Sequence, residues 1–301
     1  MKLLQIGWAH DRNREFIIRA CQQYNIEYHH TYTPSPPDHS YDIIWAPQQW
    51  INPDHYPRSK ILFGPHFWVF PDPADPLFTQ AKPEHASRCI YLCLSEWVKQ
   101  LYEEFVPIEK QIIPHVAFPF GLDVPFMKKT DIYDYDCIVY YKEVHPSRMD
   151  FCVKTITDMG IRFRVFNYGS YSKDEYIQTL LRCRFAIWIG RHESQGFGLQ
   201  ECLATNTPIF IYDVKTMKEE YNNGKYTYVD DSRIMAATAA PYWSESCGVK
   251  VYSNEEFIAK LPMFINSLST FEPAEYAKNT LTDRICFDRF LQALSLSPSK
   301  E

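Results

Sequence analysis

The chain has 301 residues, 46% of them hydrophobic, which suffices for two cores at the usual prior of about 150 residues per domain. A net charge of −6 argues against a protein that grips nucleic acid through its phosphates, and no apolar run approaches the ~20 residues of a membrane span. The nine cysteines are odd in number and form no Cys-x-x-Cys pair, so reduced thiols are expected rather than disulfides or a zinc site.

In chain order, Met1 to Gly7 is too short for a signal peptide, and Leu3 to Ile6 predicts a strand. Arg12 to Tyr24 reads as a helix, and Tyr41 to Trp45, Lys60 to Phe63 and Ile90 to Leu94 as further strands. Asp38 to Pro83 is otherwise rich in Pro, Trp and His and supplies loops. Ser95 to Phe105 predicts a helix with Ser95 as its N-cap. The pattern breaks from Ile112 to Phe126 and restarts near Asp136. Strand Cys137 to Tyr141, helix Arg148 to Met159, strand Arg162 to Asn167 and helix Lys173 to Cys183 follow. Pro241 to Gly248 has no reading, and Pro273 to Leu294 predicts a final helix. Strands alternating with helices argue for parallel α/β sheets.

The most informative stretch runs from Ile189 to Pro208: Ile-Gly-Arg-His-Glu193-Ser-Gln-Gly196-Phe-Gly198-Leu-Gln-Glu201-Cys-Leu-Ala-Thr-Asn-Thr-Pro208. An apolar strand (Phe185 to Ile189) leads into a glycine-containing loop, and Gly198 to Ala204 opens a helix before the strand Ile209 to Asp213. The first backbone N–H groups of a helix lack intrahelical partners, and the dipole favours negative charge, so this junction is an anion site. Glu193 and Glu201 bracket it. Carboxylates would repel a phosphate, so their task is to accept hydrogen bonds from sugar hydroxyls. The implied ligand is a sugar joined to a diphosphate.

These residues resemble the donor site of retaining glycosyltransferases with the GT-B fold, in the Glu-x7-Glu (group 1, family 4-like) set that includes sucrose, trehalose-type and lipopolysaccharide synthases. Glu193, Gly196 and Glu201 match the pattern. Cys202 stands for its usual Ala, and Asn206 for the Gly before Pro208; Asn also visits left-handed conformations. Ile112-Ile-Pro114 through Asp123-Val-Pro-Phe126 is similar to the family's Ile-Pro-Asn-Gly-Val-Asp segment. The resemblance implies two Rossmann-like domains with parallel sheets facing a central cleft. Residues 1–125 would form the acceptor side and 126–272 the donor side, with 273–301 packing back on the first domain.

The resemblance also implies site residues. Tyr141-Lys142 stands where the family has a Gly-Arg pair whose cation meets the donor diphosphate, and Arg148 is the candidate second cation. Tyr168 and Gly169 fall where the base and ribose bind. Glu193, Ser194, Gln195, Gly196, Phe197, Gly198, Leu199 and Glu201 form the donor loop, with Glu193 facing the reacting sugar. Gly7 lies in the first phosphate-facing loop. His66 would stand over the donor sugar as a catalytic or acceptor contact, with His10 as another acceptor contact. The plain alternatives are solvated cations for Lys142 and Arg148, a packing ring for Tyr168 and a surface or capping role for His66. Two motifs are set aside: Asp134-Tyr-Asp136 precedes a strand instead of following one, and Gly196-Phe-Gly198 lacks the third glycine of a dinucleotide site.

The reading is therefore a metal-independent, cofactor-free, cytoplasmic hexosyltransferase, with or without peripheral membrane association. It would take a nucleotide diphosphate sugar as donor and a glycan or other hydroxyl as acceptor. A non-catalytic nucleotide-sugar or glycan binding protein and a GT-B epimerase are the alternatives.

Overall fold

The computed structural model describes residues 1–33, 40–67, 70–123, 129, 132–228 and 236–295. The chain forms two compact units, Met1–Asp123 with Leu281–Glu301, and Val124–Thr280. In the first, β1 (Lys2–Ile6), α1 (Asp11–Gln23), β2 (Glu27–Thr31), β3 (Ile43–Ala46), β4 (Lys60–Phe63), α2 (Pro76–Thr79), β5 (Cys89–Cys93), α3 (Glu96–Phe105) and β6 (His115–Ala117) follow one another. The sheet order is β2-β1-β3-β4-β5-β6, with every neighbouring pair parallel. β3 and β5 are buried along their whole length, the continuous apolar run of strands covered on both faces. The order reverses between β1 and β3, and Gly7 follows β1 at that point.

The second unit contains β7 (Tyr135–Lys142), α4 (Pro146–Asp158), β8 (Phe163–Asn167), α5 (Lys173–Leu181), β9 (Cys183–Gly190), α6 (Phe197–Ala204) and β10 (Ile209–Tyr212). A short antiparallel hairpin, β11 (Tyr221–Asn222) with β12 (Lys225–Tyr226), precedes β13 (Gly248–Val251), α7 (Asn254–Asn266) and α8 (Pro273–Thr280). Its parallel sheet runs β13-β10-β9-β7-β8, so the order reverses between β7 and β9. Successive strand residues face opposite ways. Cys137, Val139, Phe185, Ile187, Ile189 and Phe210 share a core with Cys152 and Ile156 of α4 and Phe257, Leu261 and Phe264 of α7. On the other face Tyr140 stacks on Trp188 at 3.8 Å and meets Tyr176 of α5. Lys142 and Gly190 continue this second face.

Several expectations are corrected. The final helix is two: α8, and α9 (Asp283–Ala293), which belongs to the first unit. The break comes where Leu122 N–H donates to Leu281 O at 3.0 Å and Thr282 Oγ1 caps α9 by accepting from Ile285 N. Ser95 sits at the N-cap of α3, but its side chain makes no capping bond, and its buried Oγ finds no partner among the described residues. β2, β6, β13 and α7 had no counterpart in the sequence reading. The 125/126 boundary lies outside the described residues.

One partly buried histidine in the first unit gives a testable consequence. His115 is ringed by Tyr91, Tyr102 and Phe78, and its Nε2 has no hydrogen-bond partner among the described residues. Burial pulls its pKa down from 6.5 to about 4. Between those values the unfolded chain binds the proton and the fold does not, so stability falls as pH drops from 6.5 and levels off near 4. The full shift corresponds to at most about 3 kcal/mol. Urea unfolding of His115→Gln should show a flatter loss than the parent across this window; equal slopes would place no proton linkage on His115.

Candidate functional site

Ligands of open parallel sheets bind beyond the carboxyl ends of the strands, where the strand order reverses. In the second unit that point lies between β7 and β9. Lys142 is the last residue of β7 and pairs in register with Gly190, the last of β9. The Lys142 ammonium is buried, and its Nζ donates to both carboxylate oxygens of Glu193 at 2.8 and 3.0 Å. The half-exposed ring of Tyr168 covers the same ammonium, with its centroid 3.9 Å from Nζ. Gly190 is required here: a Cβ would come within 2.9 Å of Trp188 Nε1 and 3.8 Å of Lys142 Cβ.

Beyond Gly190 the chain is pinned twice. Arg191 N–H donates to Lys142 O at 2.9 Å, and Glu193 N–H to Thr238 O at 3.0 Å. Gly196 then takes φ 79°, the left-handed conformation that glycine adopts without strain, and starts α6. The first intrahelical bond is Gln200 N to Gly196 O, so the N–H groups of Phe197, Gly198 and Leu199 have no acceptor within the helix. The N-cap residue, Gly196, has no side chain with which to cap this end. The strand–loop–helix junction expected from the sequence is thus formed, with Glu193 between Lys142 and the helix start.

The structure distributes the other candidates unevenly. Glu201 is buried in α6, with the Tyr171 hydroxyl in its electrostatic reach, and that hydroxyl donates to Tyr140 at 3.2 Å. Gln195 is turned inward and donates to Gln200 Oε1, Leu199 is wholly buried, and Ser194 is half-buried beside them. Leu199 therefore has only its backbone to offer a ligand. Gly169 follows Tyr168 with φ 76°. Arg148 departs most from expectation. It sits in the first turn of α4, donates to Glu219 at 2.6 Å and lies 4.4 Å over the Tyr212 ring, on the sheet face opposite Lys142.

In the first unit, Gly7 N–H donates to Thr31 O at 2.8 Å. His10 caps α1 by accepting from Arg12 N, and His66 packs edge-on against Tyr91 while its backbone N–H donates to the Tyr91 hydroxyl. Burial lowers the pKa of His66, with Asp75 opposing. Asp134 is engaged by Arg182, and Asp136 by Arg162 and Arg184, at the amino end of the second sheet. No three His, Cys, Asp or Glu among the described residues gather to hold a metal ion. No helix among them is long and apolar enough to cross a membrane.

A further cation next to the end of β7 is Arg191, which is not among the residues expected from the sequence. Its Nε pairs with Glu143 at 2.5 Å and Glu220 at 3.1 Å. Burial opposes its charge, but Glu193, Glu220 and Glu143 outweigh that and raise its pKa. Burial in turn raises the Glu220 carboxyl against the pull of Arg191, and pushes His192 well below its ordinary value, which keeps the imidazole neutral. Glu143, directly after Lys142, holds φ 47°, a conformation few non-glycine residues adopt outside constrained sites. The adjacency of Arg191 to the strand end was the available sequence signal; Glu220 is remote in the chain and gave none.

No family model matches this sequence, and no curated protein matches it either. Solved structures do resemble it in fold. AviGT4, a glycosyltransferase involved in avilamycin A biosynthesis, has a TM-score of 0.60 at 10% identity, over 98% of this chain and 97% of that one. Sucrose-phosphate synthase from Thermosynechococcus elongatus gives 0.59 at 8% identity, over 98% and 99%. The lipopolysaccharide outer core galactosyltransferase WaaB gives 0.56 at 12%, over 98% and 99%. The chain also covers 56% of a chain in the GtfA/B complex, with a TM-score of 0.52. The fold is thus α/β, with two parallel sheets of six and five strands, as in GT-B glycosyltransferases.

Removing one partner of a buried ion pair leaves the other charge uncompensated, at a cost of about 3 kcal/mol. Lys142→Met should therefore destabilise the second unit by that amount in denaturant titrations, and adding Glu193→Leu should restore most of it. A single variant as stable as the parent would show that the pair is not coupled.

Proposed function

We propose that this chain is a retaining, metal-independent glycosyltransferase that moves a sugar from a nucleotide diphosphate sugar to a hydroxyl of a glycan or other acceptor. The observation that carries the reading is the buried Lys142–Glu193 pair at the reversal point of the second sheet, beside the start of α6 with its glycine N-cap. The fold likeness to glycosyltransferases supports it. A diphosphate would take Lys142 and the α6 N–H groups, releasing Glu193 to accept from a sugar hydroxyl. Glu201 would accept from the ribose, and Tyr168 would turn its exposed ring to the base, contacts tolerant of base identity.

In the reaction the bond between the anomeric carbon and the phosphate oxygen breaks, and a new bond forms to the acceptor oxygen on the same face. The acceptor proton passes to the leaving diphosphate, so no side-chain base is needed. Lys142 and the helix terminus stabilise the charge that grows on the leaving group, often the largest catalytic contribution. Arg191 supplies further positive potential.

The two glutamates should fail differently. A hydrogen bond to a charged group contributes about 1.5–3 kcal/mol, so Glu201→Ala should weaken nucleoside diphosphate binding about tenfold or more. Glu193→Ala should leave that binding intact or tighten it, because Lys142 loses its competitor, while turnover falls. Calorimetry with UDP, GDP and ADP, and transfer and hydrolysis assays with their sugar conjugates, test this. Binding without turnover would favour a nucleotide-sugar binding protein; neither binding nor turnover would overturn the reading.

A further inference from the structure

The segment Thr238 to Ala240 runs across the carboxyl ends of β10 and β13, held by a buried charge. Asp213 follows β10, and its side chain is almost fully buried. Its Oδ1 accepts from Val214 N at 2.9 Å and Ala239 N at 2.6 Å. Its Oδ2 accepts from Thr238 Oγ1 at 2.7 Å and pairs with Lys250 Nζ at 3.0 Å. Lys250 also donates to Thr238 Oγ1 at 2.9 Å and Ala240 O at 3.3 Å. The Thr238 hydroxyl thus donates once and accepts twice, from Lys250 and from Ala240 N at 3.0 Å, which fills its capacity.

This network ends at the candidate site. Thr238 O accepts from Glu193 N–H at 3.0 Å, and Ala239 O lies 3.9 Å from where a Gly196 Cβ would stand. The Glu193 backbone is therefore fixed from the strap, as Arg191 is fixed from β7, and the carboxylate starts from a set point when it leaves Lys142. We propose that Thr238, anchored by Asp213 and Lys250, is a positioning residue that aims Glu193 at the ligand. That the ligand part met by Glu193 is a sugar rests on the function proposed above; the pinning of its backbone does not.

Two measurements separate these. In the ligand-free protein, Thr238→Val removes the hydroxyl and loosens the strap. Amide hydrogen exchange at Glu193 should then quicken about five- to tenfold, the equivalent of one hydrogen bond, with Ile187 and Ile189 of β9 unchanged and Thr238→Ser restoring protection. Unchanged exchange at Glu193, or equal acceleration in β9, overturns the proposal. Titrations with UDP and UDP-glucose, or the guanosine or adenosine pair where that binds more tightly, then give the affinity added by the sugar. Thr238→Val should lose most of that increment, Thr238→Ser should regain it, and neither should matter in a Glu193→Ala background. An increment lost in Glu193→Ala but intact in Thr238→Val overturns the positioning role. An increment intact in Glu193→Ala overturns the sugar contact instead, and with it the proposed function, while the exchange result still decides the strap.

Discussion

Taking an ammonium and a carboxylate out of water costs several kcal/mol per ion, and the cost is offset only when geometry is close and further hydrogen bonds are made. Lys142 and Glu193 meet that condition with two contacts and an aromatic face over the ammonium. Yet an apolar pair of similar volume would serve stability as well. On the function proposed above, this ion pair at the end of a parallel strand is a charge held ready. The lysine is held beside Glu193, the partner that an incoming anion would replace in that proposal.

The second unit is arranged around this pair. Its strand order reverses between β7 and β9, the point where open parallel sheets take their ligands. Gly190 admits Trp188 beneath the site, Gly196 turns the chain into α6, and Glu143 turns it away from Lys142. Around Lys142 stand Arg191, Glu143 and Glu220, a cluster whose charges nearly balance. In the proposed function a diphosphate would shift that balance, and its binding would be coupled to re-pairing of these charges.

The alternation of elements and the strand–loop–helix from Phe185 to Ala204 were legible because they rest on local periodicity, glycine placement and a strand followed by a helix start. The position of Lys142 at a strand end was legible because it closes an apolar run. What escaped the sequence was non-local or geometric. Arg148 looked like a cation near a strand end, but the turn of α4 carries it to the Tyr212 face. The edge strand β2 mixes His, Tyr and Thr without an apolar stretch, and β6 is only three residues long. The final helix hid its break because Thr282 fits a helical pattern until Leu122 pairs there. Asp213, Thr238 and Lys250 are far apart in sequence, and nothing short of the fold assembles them.

The central claim is that one lysine exchanges a carboxylate for a diphosphate. A crystal structure of the protein with a bound nucleoside diphosphate tests it most directly. The account predicts a phosphate oxygen within hydrogen-bonding distance of Lys142 Nζ and of the first N–H groups of α6, with the Glu193 carboxylate moved off the ammonium. A diphosphate bound elsewhere, with the Lys142–Glu193 pair intact, would contradict it.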